Sequence, residues 1–272
     1  MGICLRNMDS FFGFALQKYY FHLESVLFGY FLFLCKVKTN EKMNKLSKAI
    51  AAILLMMVFA VSCNKPKDNS GTLNGHDYVD LGLPSGTMWA TCNLGADAPE
   101  GYGSYFAWGE TEPKEVYTWD TYKHCNGDSR QMTKYCTDAN YGFEGFTDGL
   151  TVLQLSDDAA AANWGEGWSM PTLEQWNELI DNTTNLWKTI NGKAGRLFTG
   201  SNGNSIFIPA AYNHLHGGQK DPPIDLPYAN YWSSSLYDLS SDAWSLNFYE
   251  DCGDMADCGR SVGMSVRPVT AK

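Results

Sequence analysis

Tyr78-Val-Asp-Leu-Gly-Leu-Pro-Ser-Gly-Thr-Met-Trp-Ala-Thr-Cys-Asn-Leu-Gly-Ala96 is the stretch on which the reading of this chain turns. Two short runs of strand-forming residues, 78–83 and 88–91, flank the turn Pro84-Ser85-Gly86. There proline presets φ and glycine supplies the freedom a tight turn needs. Working outward, Gly, Asn, Asp and Pro punctuate the chain about every 8–12 residues, a spacing of short strands and loops rather than long helices. Residues 205–209, 231–235 and 262–269 read as further strands. From Ala243 to Tyr249 the sequence alternates, with Trp244, Leu246 and Phe248 on one face and Ser245 and Asn247 on the other, the period of a half-buried strand.

Two helices interrupt the strands. Ser156 can cap a first one through Asp157-Asp158-Ala159-Ala160-Ala161-Ala162, with both acids where the helix dipole favours them. A second begins after Pro171. Thr172 and Gln175 have the spacing of a capping box, and Leu173, Trp176, Leu179 and Ile180 form one apolar stripe.

The charge of the chain is divided. Its 272 residues carry a net −10, yet up to Cys63 there are seven basic and three acidic residues. That leaves 13 basic against 27 acidic beyond Cys63, a net of −14, together with all nine tryptophans. An acidic, aromatic body argues against nucleic acid as a partner, because neutralising phosphates needs clustered Lys and Arg. Residues 43–62 have a basic start, an apolar run of about a dozen residues and a small residue at the end, the pattern of a signal peptide. Ala60-Val61-Ser62-Cys63 resembles a bacterial lipobox, which implies lipidation at Cys63, contact with a membrane through that anchor alone, and a place at the outer membrane or cell surface. Residues 1–42 fit neither part and read as an over-extended N-terminus ahead of a start at Met43. Residues 63–71 are polar with Pro and Gly and read as a lipid-anchored tether. Residues 72–272 are then one domain.

The quoted stretch also resembles the opening of the Fibrobacter succinogenes major paralogous domain. So do Tyr105-Phe-Ala-Trp-Gly-Glu-Thr111, Trp164 through Trp168-Ser-Met-Pro-Thr172, Ile206-Phe-Ile-Pro-Ala-Ala211, Tyr231-Trp-Ser-Ser-Ser235 and Ser265-Val-Arg-Pro-Val269, in order along the body. The resemblance implies an α+β, C-type-lectin-like domain, with short antiparallel strands, two helices, long loops over one end, and its first and last strands paired. It brings no settled activity. Fold relatives include formylglycine-generating enzymes, which work through a reactive cysteine pair.

Five cysteines lie in the body. Cys252 and Cys258 flank the acidic stretch 253–257 and could staple a hairpin; Cys125 and Cys136 flank a polar loop and could do the same, although connectivity is not readable from sequence. Cys92 reads as a buried free thiol in a strand. Cys252 and Cys258 also occupy the region of the enzymes' reactive pair, but their acidic surroundings disfavour thiolates and the Arg-Gly-Gly-Ser-Trp block of those enzymes is missing. No zinc spacing is present, His214 and His216 standing without a third ligand. Asp251, Asp254 and Asp257 could offer oxygen to calcium, yet no calcium-loop motif surrounds them, so no cofactor is expected. With no catalytic motif either, recognition of a glycan or surface protein is the expected function. Structural assembly is the first alternative, and formylglycine-type catalysis the second. Tyr212, His214, His216 and Tyr228, in a Gly- and Pro-rich loop, are the expected ligand contacts, because aromatics stack on sugars and anchor protein interfaces.

Overall fold

A computed structural model describes residues 69–212 and 227–271, all within one compact unit, Pro66–Lys272. The leader, Cys63, His214 and His216 lie outside the described residues.

The domain is α+β and mostly antiparallel. One sheet orders its strands β1 (Gly71–Leu73), β2 (His76–Asp80), β3 (Met88–Ala90), β13 (Val269–Thr270) and β5 (Trp168–Ser169). A second runs β11 (Gly253–Gly259), β10 (Asp242–Phe248), β9 (Ala229–Leu236), β12 (Met264–Ser265) and β4 (Tyr105–Phe106), with only the β12 and β9 pair parallel. A third joins β6 (Thr183–Ile190), β7 (Lys193–Gly200) and β8 (Ser205–Pro209). Two α-helices are described, α1 (Ala159–Trp164) and α2 (Leu173–Asn182). Strands β1 and β13 share a sheet without pairing, since β13 lies between β3 and β5 and β1 pairs with β2. The expected pairing of first and last strands is thus replaced by a third-with-last pairing.

Helix α2 forms where its local signals put it. Thr172 Oγ1 accepts from Gln175 N at 3.3 Å and Gln175 Oε1 accepts from Thr172 N at 2.9 Å, closing the capping box. Its stripe buries Trp176 and Leu179. Helix α1 starts two residues later than Ser156 would have it, with Asp158 as its cap. The cause is distant in sequence: Asp157 is drawn away by Lys134 and Tyr135, and residues 155–157 make a separate turn of 3₁₀ helix.

The strand at 243–249 alternates only in part. Leu246 and Phe248 are buried, but so are Ala243 and Ser245, because β10 is covered by neighbours and Trp244 turns out against Tyr237. Between Ala243 and Ser245 the register on β9 jumps from Leu236 to Trp232, so β9 carries two extra residues in the serine run. A bulge leaves backbone groups without ladder partners. Here they are met from outside: Ser234 O accepts from Leu153 N at 3.0 Å, Ser234 N donates to Pro171 O at 2.8 Å, and Ser233 O accepts from Trp108 Nε1 at 2.8 Å.

The run 262–269 is not one strand. It crosses from the second sheet to the first, as β12 and then β13, and Arg267 fills the crossing. Its guanidinium donates to Ala90 O, Thr91 O, Asn93 Oδ1 and Phe207 O, at 2.7–2.9 Å. Around this junction pack Trp89, Trp176, Tyr231 and Phe198, while Trp108, Trp168 and Trp232 centre the other large apolar cluster.

Both expected disulfides are corrected. The stretch 253–257 is no loop but most of β11, so Cys252 and Cys258 stand at opposite ends of one strand. Six residues of strand span about 20 Å, against the roughly 7 Å upper limit between the Cα atoms of a disulfide. Cys125 Sγ donates to Trp119 O and the buried Cys136 Sγ to Asp138 O, each 3.2 Å and each in its own turn. All five body cysteines are free thiols, and Cys92 lies half-buried just past the end of β3. Labelling the folded protein with a maleimide should therefore modify the exposed Cys252 rapidly and Cys136 only on unfolding, with identical counts before and after reductant. A gain of two labels per chain on reduction would show that a disulfide exists.

Candidate functional site

Three strand ends bring tyrosines together. Tyr212 follows β8, Tyr228 precedes β9 and Tyr249 follows β10. Antiparallel pairing sets Ala229 opposite Phe248, and Asn230 N donates to Ala211 O at 2.9 Å, so the residues just beyond these pairs converge. The Tyr212 and Tyr228 rings lie 4.3 Å apart between centroids, and those of Tyr228 and Tyr249 are 5.7 Å apart. Tyr212 is buried and Tyr228 half-buried, while Tyr249 is 44 % exposed, so the row runs from the interior to solvent. Burial, then the nearby Tyr228 and Tyr102, push the Tyr212 hydroxyl up to about 12, and burial with Tyr249 beside it also raises Tyr228. Both hydroxyls hold their protons at neutral pH.

The sequence-predicted pair Tyr212 and Tyr228 is thus brought together; His214 and His216, between them in sequence, lie outside the described residues. Further residues stand at or near the row. Tyr249 was unmarked because it ends a strand, and only strand order sets it beside Tyr228. Lys193 Nζ stands 4.5 Å over the Tyr102 ring, a cation–π contact between residues far apart in sequence. Arg196, 5.6 Å over the Phe248 ring, donates to Tyr249 O and Glu250 O, and to Asn185 Oδ1 at 2.8 Å, which holds the turn behind Tyr249.

A second cluster has the residue types of a catalytic site but is built as a clamp. Asp157 accepts from Tyr135 Oη at 2.7 Å and pairs with Lys134 and Lys123, while His124 Nε2 lies 3.8 Å from it and 2.8 Å from Gly109 O. Burial opposes ionisation of Asp157, but the hydrogen bonds from Lys134 and Tyr135 and the neighbouring His124 hold its carboxyl below the usual range. Burial pushes His124 below its ordinary value, which favours the neutral ring. Arg260, with no exposed surface, stacks 4.8 Å over Trp108 and donates to Tyr122 Oη, Tyr135 O, Ser240 O and Lys134 O. These contacts tie the loops at residues 109–157 to the sheet.

The other candidates are dispersed. Asp254 and Asp257 are three apart on β11 and so point to opposite faces. Among the described residues no group of three or more His, Cys, Asp or Glu is placed to hold a metal. Burial and then Asp242 raise the Cys258 thiol to about 11, and Cys252 is a strand-length away. The chain matches no protein-family model, no curated protein and no solved structure.

Proposed function

We propose that this chain is a non-catalytic recognition domain, C-type-lectin-like in fold, which binds glycan or a protein surface through the tyrosine row Tyr212, Tyr228 and Tyr249. In this reading it is carried at the outer membrane or cell surface by a lipid on Cys63. The observation that carries it is the convergence of three tyrosines from three strand ends, graded from buried to exposed. Stacked tyrosines offer flat apolar area with few rotors to freeze on binding. The face rests on the ends of sheet strands, and Arg196 holds its outermost turn, so little has to be ordered when a ligand arrives. The six sequence blocks quoted above support the lectin-like assignment and the leader sequence supports export.

The test is a broad glycan array with the wild-type chain and with Tyr249→Ser and Tyr228→Ala. A bound glycan should lose about tenfold in affinity in either variant, the 1.4 kcal/mol worth of one good stacking contact. An empty array together with concentration-dependent self-association in sedimentation would replace this reading with a structural subunit of a surface assembly.

A further inference from the structure

A concave site lies apart from the tyrosine row, between the start of β2, the end of α1 and the loop after β4. It is an open cleft of about 390 Å³ bordered by His76, Ser104, Phe106, Glu112, Asn163 and Trp164. That volume is at the low end for small-molecule pockets.

Its wall is rigid. The His76 ring lies flat on Trp164 with centroids 3.9 Å apart and planes 7° apart. Trp168 meets Trp164 edge-on from another side at 4.9 Å, so Trp164 is locked between rings. Phe106 supplies an apolar floor. The approach of the loops is tight, since Gly95 has φ +80° and a Cβ there would strike Ser104 Oγ. Both amide hydrogens of Asn163 are consumed, one by Ala159 O and one by Thr111 O, each 2.9 Å. Those two bonds orient the carboxamide, leave its Oδ1 as an acceptor, and anchor the backbone that presents Glu112.

The polar groups select by chemistry. No Lys or Arg borders the cleft and Glu112 is exposed beside it, so an anion meets repulsion with no fixed positive charge to offset it. Glu112 and Asn163 Oδ1 accept hydrogen bonds, whereas Ser104 Oγ both donates and accepts. An ammonium offers donors only. A ring bearing several hydroxyls offers donors, acceptors and an apolar face, which matches the polar rim and the aromatic wall together. We infer that this cleft binds a neutral pyranose ring, at a site separate from the tyrosine row and independent of what that row recognises.

Saturation-transfer NMR on the purified chain tests this with neutral methyl glycosides of glucose, galactose and N-acetylglucosamine, with glucuronate as the anionic probe and glucosamine as the cationic one. At least one neutral glycoside should show transfer, weakened about fivefold or more in Glu112→Ala and in Asn163→Ala, since each removes a hydrogen bond, and unchanged in Tyr249→Ser. Glu112 and Asn163 are exposed, so both variants should fold, and thermal unfolding followed by tryptophan fluorescence checks this. The inference is overturned if no neutral glycoside gives transfer, or if glucosamine or glucuronate alone does. It is equally overturned if transfer survives in Glu112→Ala but vanishes in Tyr249→Ser, which would assign the sugar to the tyrosine row. Failure of the tyrosine row on the array leaves this result standing, because the variants do not overlap.

Discussion

Arg267→Met is expected to cost the domain about 4 kcal/mol, the largest stability loss of any single substitution considered for this fold. The guanidinium is fully buried, and no carboxylate pairs with it among the described residues; its four hydrogen bonds go to three backbone carbonyls and to Asn93 Oδ1. Methionine fills much of the volume but leaves those acceptors dry, at roughly 1–3 kcal/mol for each orphan before relaxation. The acceptors belong to different elements: Ala90 ends β3, Thr91 and Asn93 follow it, and Phe207 lies in β8. Loss of the fork therefore loosens the joint between sheets rather than one strand. Arg267→Lys should recover little, because a single ammonium cannot span acceptors that a planar fork reaches in several directions. Equilibrium urea unfolding measures the difference. For a domain of this size it corresponds to a fall in Tm of about 8–16 °C. A lysine variant within 1 kcal/mol of wild type would show that charge alone, not the fork, holds the joint.

Asp158→Ala is expected to cost about 3 kcal/mol, and for a different reason. One carboxylate oxygen accepts from Ala160 N at 2.8 Å and Ala161 N at 3.0 Å, capping α1; the other accepts from Met170 N at 2.8 Å. A helix of six residues has little cooperativity of its own and depends on its cap. The same side chain ties the helix to the residue following β5. Burial raises the carboxyl above its ordinary value in spite of the three donors. Asp158→Asn keeps an acceptor for the cap but sets an amide group against Met170 N, so about half the loss should remain. Urea unfolding of both variants orders them. Equal losses would mean that the bond to Met170 alone, and not the cap, carries the stabilisation, and an asparagine variant as stable as wild type would mean the reverse.

Legibility in the sequence followed the range of the interactions. Helix α2 could be read because its capping box and stripe lie within eight residues of one another. Strand β8 was read with its true ends. The start of α1 was misplaced because its neighbour Asp157 answers to Lys134 and Tyr135, over 20 residues earlier. The stretch from Cys252 to Cys258 misled in another way: Gly and Asp punctuate loops, but the same composition serves a half-exposed strand at a sheet edge, where acids also discourage pairing with further strands. Of the tyrosine row, Tyr212 and Tyr228 were legible as loop aromatics. Tyr249 needed the order of the strands. The pairing of His76 with Trp164, 88 positions apart, carried no local signal.

The place of β13 has a consequence for the order of events as the polypeptide is made. β13 is two residues long, yet β3 and β5 meet only through it. A nascent polypeptide halted anywhere short of residue 270 would hold β2, β3 and β5 with two open edges, however much of the rest had been translated. Arg267, which seals the neighbouring joint, is synthesised only three positions earlier. The joint between β3 and β5 therefore closes only after residues 267–270 have been made, later than every other strand described here.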